Sequence, residues 1–358
     1  MTSSKNQPGK LPGIQVLRAV AALLVLWAHV KFAIGGSTNP LLRSNVGAIG
    51  VDIFFVISGF IISLTASKLN DNWRLFLAHR VARVVPLYYV VSTCLLLQAW
   101  WGQRISFAQV WNTYLFLPLW DFGKFTTPAH DFGWTLSFEM WFHCLFTLVF
   151  AASGARRVWI VLPGVLAVGV AAVAALYQGP WEFPRFVFHP IVLEFAAGCI
   201  LFHVYSRLGL RSACLLAAAA IPLIYGAIRT QSLGRHTEVL QDSTLGFQRS
   251  LIWGGAAVCV VGIVLISDRL SWVRWPKSLS MIGDASYSLY LFQTFALSIV
   301  SKLLPAGGAL AGVLFVVLSI VGSLLLYKYL EKPMSWRARR YFERRLRAEP
   351  ASPLVATR

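Results

Sequence analysis

Arg18 and His29 stand eleven residues apart in the first long apolar stretch of the chain, LPGIQVLRAVAALLVLWAHV. On a helix, at about 100° per residue, they share one face, and at 1.5 Å rise they lie roughly 16 Å apart in depth. An imidazole is the side chain best suited to take and return a proton near neutral pH. Two carboxylates occupy comparable depths in later apolar stretches: Asp52 in GVDIFFVISGFII, and Glu139, with Ser137 just before it, in WTLSFEMWFHCLF. Three helices could bring His29, Asp52 and Glu139 together. A histidine with a carboxylate partner suits general-base catalysis, because the carboxylate fixes the tautomer and stabilises the imidazolium. A polar cluster that binds helices to one another is the competing reading, and spacing does not choose between the two carboxylates. His143, one helical turn after Glu139 on the same face, reads as a packing residue.

A second group of candidates is basic. In FLAHRVARVVPLYY, Arg80 and Arg83 lie three apart on one face of a short helix expected to end before Pro86. Guanidinium forks suit phosphate, so the pair is either a phosphate clamp or a juxtamembrane anchor. Glu194 in PIVLEFAAG reads as a helix N-terminal acid. Tyr287 and Tyr290 in GDASYSLYLFQTF are expected to hydrogen-bond across helices, and Glu331 in YLEKPMSW to end a helix in a salt bridge. The segment 104–133 is rich in aromatics, including Trp111, Tyr114, Trp120, Phe122 and Phe125. These rings could stack on sugars or form an interfacial belt.

What positions these groups must be a bilayer-spanning scaffold. The chain is 57% hydrophobic and 13% charged, and its apolar residues come in blocks long enough to cross a membrane, which takes about 20 residues each. Ten spans are expected, at 12–34, 47–68, 84–103, 134–154, 158–177, 190–206, 210–228, 250–267, 281–301 and 306–328. The fold class is therefore all-α, a polytopic membrane protein, and either the short 190–206 or the semi-polar 281–301 could be re-entrant. An ionisable side chain inside such a bundle costs several kcal/mol unless paired or hydrated, which makes each one a functional candidate. The net charge of +18 is not a nucleic-acid signature, because the Lys and Arg lie in short clusters between apolar blocks. That pattern follows the positive-inside rule and places both termini in the cytoplasm. Residues 1–11 form a cytoplasmic N-terminus, 12–333 a membrane domain and 334–358 a basic tail, read either as an amphipathic segment against anionic lipid or as a solvated end. The five cysteines show no metal-ligand spacing, so no metal is expected. The first apolar block, long and carrying Arg18 and His29, does not read as a cleavable leader.

Taken together, LRAVAALLVLWAHV, GVDIFFVISGFII, HRVARVVPLYY, WTLSFEMWF, VLEFAAG, GDASYSLYLFQ and YLEKP run in order from residue 17 to residue 333. In these stretches the chain resembles the membrane acyltransferase family 3, most closely its exopolysaccharide O-acyltransferase branch, whose hallmark is an Arg, ten intervening residues and then a His. The resemblance implies that His29 is the essential histidine with Arg18 beside it, that Arg80 and Arg83 form the family's Arg-x-x-Arg pair, and that Trp134, Ser137 and Glu139 belong to the functional core. It implies an acyl-CoA donor, most often acetyl-CoA, and a carbohydrate hydroxyl as acceptor, on a free or lipid-linked glycan. Two positions depart from the pattern: Gln293 stands where relatives commonly carry His, and His143 where an aromatic residue is usual. Some relatives also carry a fused extracytoplasmic esterase-like domain, so here the membrane domain is expected to complete the transfer itself or to pass the acyl group to a separate partner.

The expected chemistry is acyl transfer in a bacterial inner membrane, with acyl-CoA held near Arg80 and Arg83, and His29, held by Glu139 or Asp52, acting as general base or as an acyl relay. A transporter or flippase of a glycan intermediate is the alternative, since buried charge fits that class too. A membrane glycosyltransferase is a third reading, for which the outer segment offers Asp121 and Asp131.

Overall fold

The computed structural model describes residues 11–35, 44–69, 71–101, 106–117, 119–121, 124–126, 133–177 and 182–348. Its long helices are α1 (Pro12–Ile34), α2 (Ile49–Ala66), α3 (Trp73–Trp101), α4 (Trp134–Ser153), α5 (Val158–Leu176), α6 (Val192–Val204), α7 (Leu210–Arg229), α8 (Gly255–Leu270), α9 (Ser286–Leu303), α10 (Ala309–Leu326) and α11 (Lys332–Ala348). Among the described residues, nine helical segments are long and apolar enough to cross a membrane. The tenth expected span corresponds to α9, whose 18 residues cover about 27 Å. Buried Ser286, Ser288 and Gln293 lower its apolarity, and it packs between α1 and α10. The chain is thus an all-α polytopic membrane protein. Strand structure among the described residues is confined to one antiparallel hairpin, β1 (Leu119–Asp121) with β2 (Lys124–Thr126).

The elements that carry the candidate residues are locked by close contacts. Helix α1 starts with Pro12 in its first turn, where the missing N–H costs nothing. The backbone N–H of Gly13 donates to both carboxylate oxygens of Asp268 at 2.9 Å. It stops at Gly35 with φ 73°, a left-handed turn that glycine adopts without strain. Helices α2 and α6 cross at Gly59 and Gly198. A Cβ at either position would lie 2.1 Å from a backbone carbonyl oxygen of the other helix. Small residues at such a crossing let backbones touch, which replaces the hydrophobic driving force that lipid does not supply. Beside the crossing, Phe195 stacks between Phe55 and Phe142, with ring centroids 4.5 and 4.3 Å away.

Helix α3 does not end before Pro86, contrary to the sequence expectation. It runs through the proline to Trp101. A bundle tolerates this because the packing of neighbouring helices offsets the one backbone bond lost at the proline; two residues before it, the Tyr287 hydroxyl of α9 donates to the Val84 carbonyl at 2.9 Å. Two π-helical turns interrupt the long helices, at Ser250–Gly254 and Tyr327–Glu331. Such turns re-aim side chains and often mark functional positions. The second adjoins Glu331, which is buried and accepts from Ser288 Oγ at 2.6 Å; the helix continues past it into α11 rather than ending there. In that basic helix, Arg340 lies over the Trp336 ring, and α11 packs along α3 through His79 Nε2 and Glu343, 2.9 Å apart. Of the aromatic segment, Phe107–Tyr114 is helical. Phe122, Asp131, residues 1–10 and residues 349–358 lie outside the described residues, as do the side chains of Trp120, Asp121 and Phe125.

Candidate active site

The candidate residues line two adjoining cavities. The first, about 320 Å³, gathers Arg18, Arg80, Arg83 and Glu139. Arg339 of α11 joins them, so the segment read as a tail supplies a fourth guanidinium. That contribution was not foreseen, although the run WRARR carries enough arginines to have suggested it. Arg18 is oriented by two bonds, donating to Ser286 Oγ at 2.9 Å and to Gln15 Oε1 at 3.2 Å. Arg80 is buried and donates to Thr65 Oγ1 at 3.2 Å. Four guanidiniums around one carboxylate leave a surplus of donors in a semi-buried space, the geometry that recognises phosphate.

The second cavity, about 220 Å³, holds His29 with Lys31, Trp134, Arg235, His236 and Arg249 on its walls. Val51 and Tyr290 line both cavities, so one layer of side chains separates them. Tyr290 is held there by a 2.6 Å contact between its hydroxyl and that of Thr135. The hydroxyl of Ser137 is buried on the same helix and has no hydrogen-bond partner among the described residues.

The three-helix meeting of His29, Asp52 and Glu139 is not what the structure builds. Asp52 is fully buried in a two-point ion pair with Arg249, at 3.0 Å to Nε and 2.8 Å to Nη2. A buried carboxylate without a cation would be costly, and Arg249, at the edge of a π-turn, meets that need. Glu139 faces the arginines of the first cavity. Its other neighbour is His143, with Nε2 3.7 Å away and the ring buried. Glu194 is buried in the first turn of α6, the position of a helix N-terminal acid, and neither carboxylate oxygen accepts a hydrogen bond among the described residues.

Among the described residues, Gln293 faces His29 at Nδ1. Its Oε1 lies 3.0 Å from His29 Nδ1, and its amide NH₂ donates to the Tyr290 carbonyl at 3.1 Å. That second bond turns the oxygen toward the ring. An acceptor at Nδ1 selects the tautomer with the proton on Nδ1 and leaves Nε2 as the basic nitrogen. Gln293, first noticed only as a departure from the family pattern, thus occupies a position beside His29 that the sequence reading had offered to Asp52 or Glu139. Trp134 is buried, stacks on His236 with centroids 5.5 Å apart, and lies beneath the Arg249 guanidinium at 5.9 Å. Outside the spanning helices, His236 has its pKa pushed down to about 4, first by burial and then by the charges of Arg249 and Lys31. Among the described residues no group of His, Cys, Asp and Glu could hold a metal ion.

The multi-pass helical bundle thus sets a histidine whose Nδ1 faces an amide oxygen beside an arginine-lined cavity. The acyltransferase-domain family profile matches residues 11–328, and the chain belongs to that family and is an acyltransferase. It is 31% identical over 315 residues to the exopolysaccharide production protein ExoZ of Rhizobium meliloti (strain 1021), covering 82% of this chain and 92% of the relative. It is 26% identical over 320 residues to the peptidoglycan O-acetyltransferase OatA of Listeria monocytogenes, covering 79% of this chain and 48% of that protein. It is also 26% identical over 190 residues to the acyltransferase MdmB of Streptomyces mycarofaciens, covering 48% of each chain. No solved structure matches. Family membership sets the transporter and glycosyltransferase readings aside.

Proposed function

We propose that this enzyme transfers an acyl group, acetyl by the names of its relatives, from acyl-CoA to a hydroxyl of an exopolysaccharide or other cell-surface glycan. The observation that carries the reading is the pair of cavities, one lined with arginines and one with His29, sharing Val51 and Tyr290 as their common wall. In a bacterial inner membrane with both termini cytoplasmic, the arginine cavity opens toward the cytosol, where acyl-CoA is available. The CoA phosphates bind Arg80, Arg83, Arg18 and Arg339, and the pantetheine arm carries the thioester toward the wall. Nε2 of His29 takes the proton of the acceptor hydroxyl, and the oxygen attacks the thioester carbonyl. The tetrahedral intermediate collapses with cleavage of the C–S bond, and the imidazolium returns its proton to the CoA thiolate.

The wall itself favours a second route to the same products. If it keeps donor and acceptor apart, Nε2 attacks the thioester and releases CoA, and the acyl-imidazole is then opened by the sugar hydroxyl. Either way His29 is indispensable. Replacing His29 with Ala and following transfer of labelled acetyl from acetyl-CoA in membranes tests this. Activity near that of the unaltered enzyme in a folded variant would overturn it.

A further inference from the structure

The cavity in front of His29 is lined by three permanent cations, Lys31, Arg235 and Arg249, and by His236, with no carboxylate among its described lining residues. Arg249 is neutralised from behind by Asp52. Arg235 is paired at the exposed surface with Glu238 at 3.0 Å. Among the described residues Lys31 bonds only the neutral amide oxygen of Asn45, and it lies within Coulombic reach of Arg235 and His236. With Arg249 and Arg235 each facing a carboxylate, Lys31 is the cation of this cavity that meets none among the described residues, in a semi-buried space where an uncompensated charge costs more than in water. On the orientation argued above the three cations also sit at the outer end of the bundle, where the positive-inside rule leaves few cations. An arrangement that is unfavourable when empty is relieved by an anion.

Resting on the reading of this cavity as the acceptor side, we propose that the acceptor is an anionic glycan, one whose carboxylate or phosphate is held by Lys31 and Arg235 while the hydroxyl to be acylated faces His29. His236, stacked by one face on the buried Trp134 ring, offers its other face as a platform for the apolar face of a sugar. At about 220 Å³ the cavity is smaller than the ~300–1,000 Å³ usual for small-molecule sites. It therefore takes one charged residue of a glycan and leaves the rest outside. The anion has two chemical sources, an acidic sugar in the polymer or the diphosphate of a lipid-linked precursor.

Binding of glucuronate, glucose and inorganic diphosphate to the purified full-length protein, with CoA saturating so that the arginine cavity is filled, separates these cases. Glucuronate is expected to bind about 10-fold or more tighter than glucose, with the difference falling as salt rises. Lys31→Gln removes that preference, and Lys31→Arg keeps it. Diphosphate binding without glucuronate preference assigns the anion to the lipid linkage and also supports the proposal. Glucose and both anions binding alike in the unaltered protein, or a folded Lys31→Gln variant that keeps the preference, would overturn it. The His29→Ala transfer assay reports separately on the acyltransfer reading, so failure of one does not mimic failure of the other.

Discussion

Replacing Gln293 with Leu removes the acceptor at Nδ1 of His29 while keeping a side chain of similar bulk in a position that is 1% exposed. The bond lost is a neutral N–H to amide-oxygen bond at 3.0 Å, worth about 0.5–1.5 kcal/mol net. If that energy holds the imidazole in its productive tautomer and orientation, kcat falls between about 2-fold and about 10-fold, at 1.36 kcal/mol per factor of ten. Gln293→Glu keeps an oxygen facing Nδ1 and should retain more activity than the Leu variant, although its side chain also loses the amide donor to Tyr290. Initial rates of acetyl transfer in membranes, at saturating acetyl-CoA and varied acceptor, separate kcat from KM. A folded Leu variant with unaltered kcat would refute the orienting role, as would a Glu variant slower than the Leu one.

Arg339→Ala should raise the KM for acetyl-CoA several-fold with a smaller change in kcat, by removing one of four guanidiniums around the donor cavity; an unchanged KM for the donor would place Arg339 outside the site. Arg249→Met leaves Asp52 buried without its cation and is expected to destabilise by about 3–5 kcal/mol, whereas the double variant Asp52→Leu with Arg249→Met should recover most of that loss, measured as thermal unfolding in detergent. Because the folded protein holds His236 near pH 4 in its titration, below the unfolded value of about 6.5, the unfolded chain binds the extra proton between those limits. Stability contributed by the neutral ring is therefore complete above about pH 6.5 and declines as the pH falls toward 4. His236→Gln should flatten that part of the stability profile, and an unaltered profile would contradict the assignment.

The bilayer-spanning scaffold was legible because apolar blocks of span length have no other use in a chain this poor in charge. The ion-bearing positions were legible too, since a lone Arg, His, Asp or Glu inside such a block stands out whatever it touches. The hidden part was pairing. Asp52 and Arg249 are 197 residues apart, as His29 and Gln293 are 264 apart, and no local pattern connects them. Pro86 misled for a related reason: its local rule ends a helix, while the neighbours that compensate inside a bundle come from elsewhere in the chain.

By itself the order of residues determined the membrane embedding, which resides in composition, and its ordered motifs carried the resemblance that implied an acyltransferase with His29, Arg18, Arg80, Arg83 and Glu139 in them. Tertiary structure alone decided which groups meet. It set the Gln293 amide against His29 Nδ1, paired Asp52 with Arg249, and folded Arg339 back to the arginine-lined cavity. The physical reason is that a buried polar group takes whichever compensating partner the helix packing brings within about 3 Å, and packing depends on contacts between helices far apart in the chain.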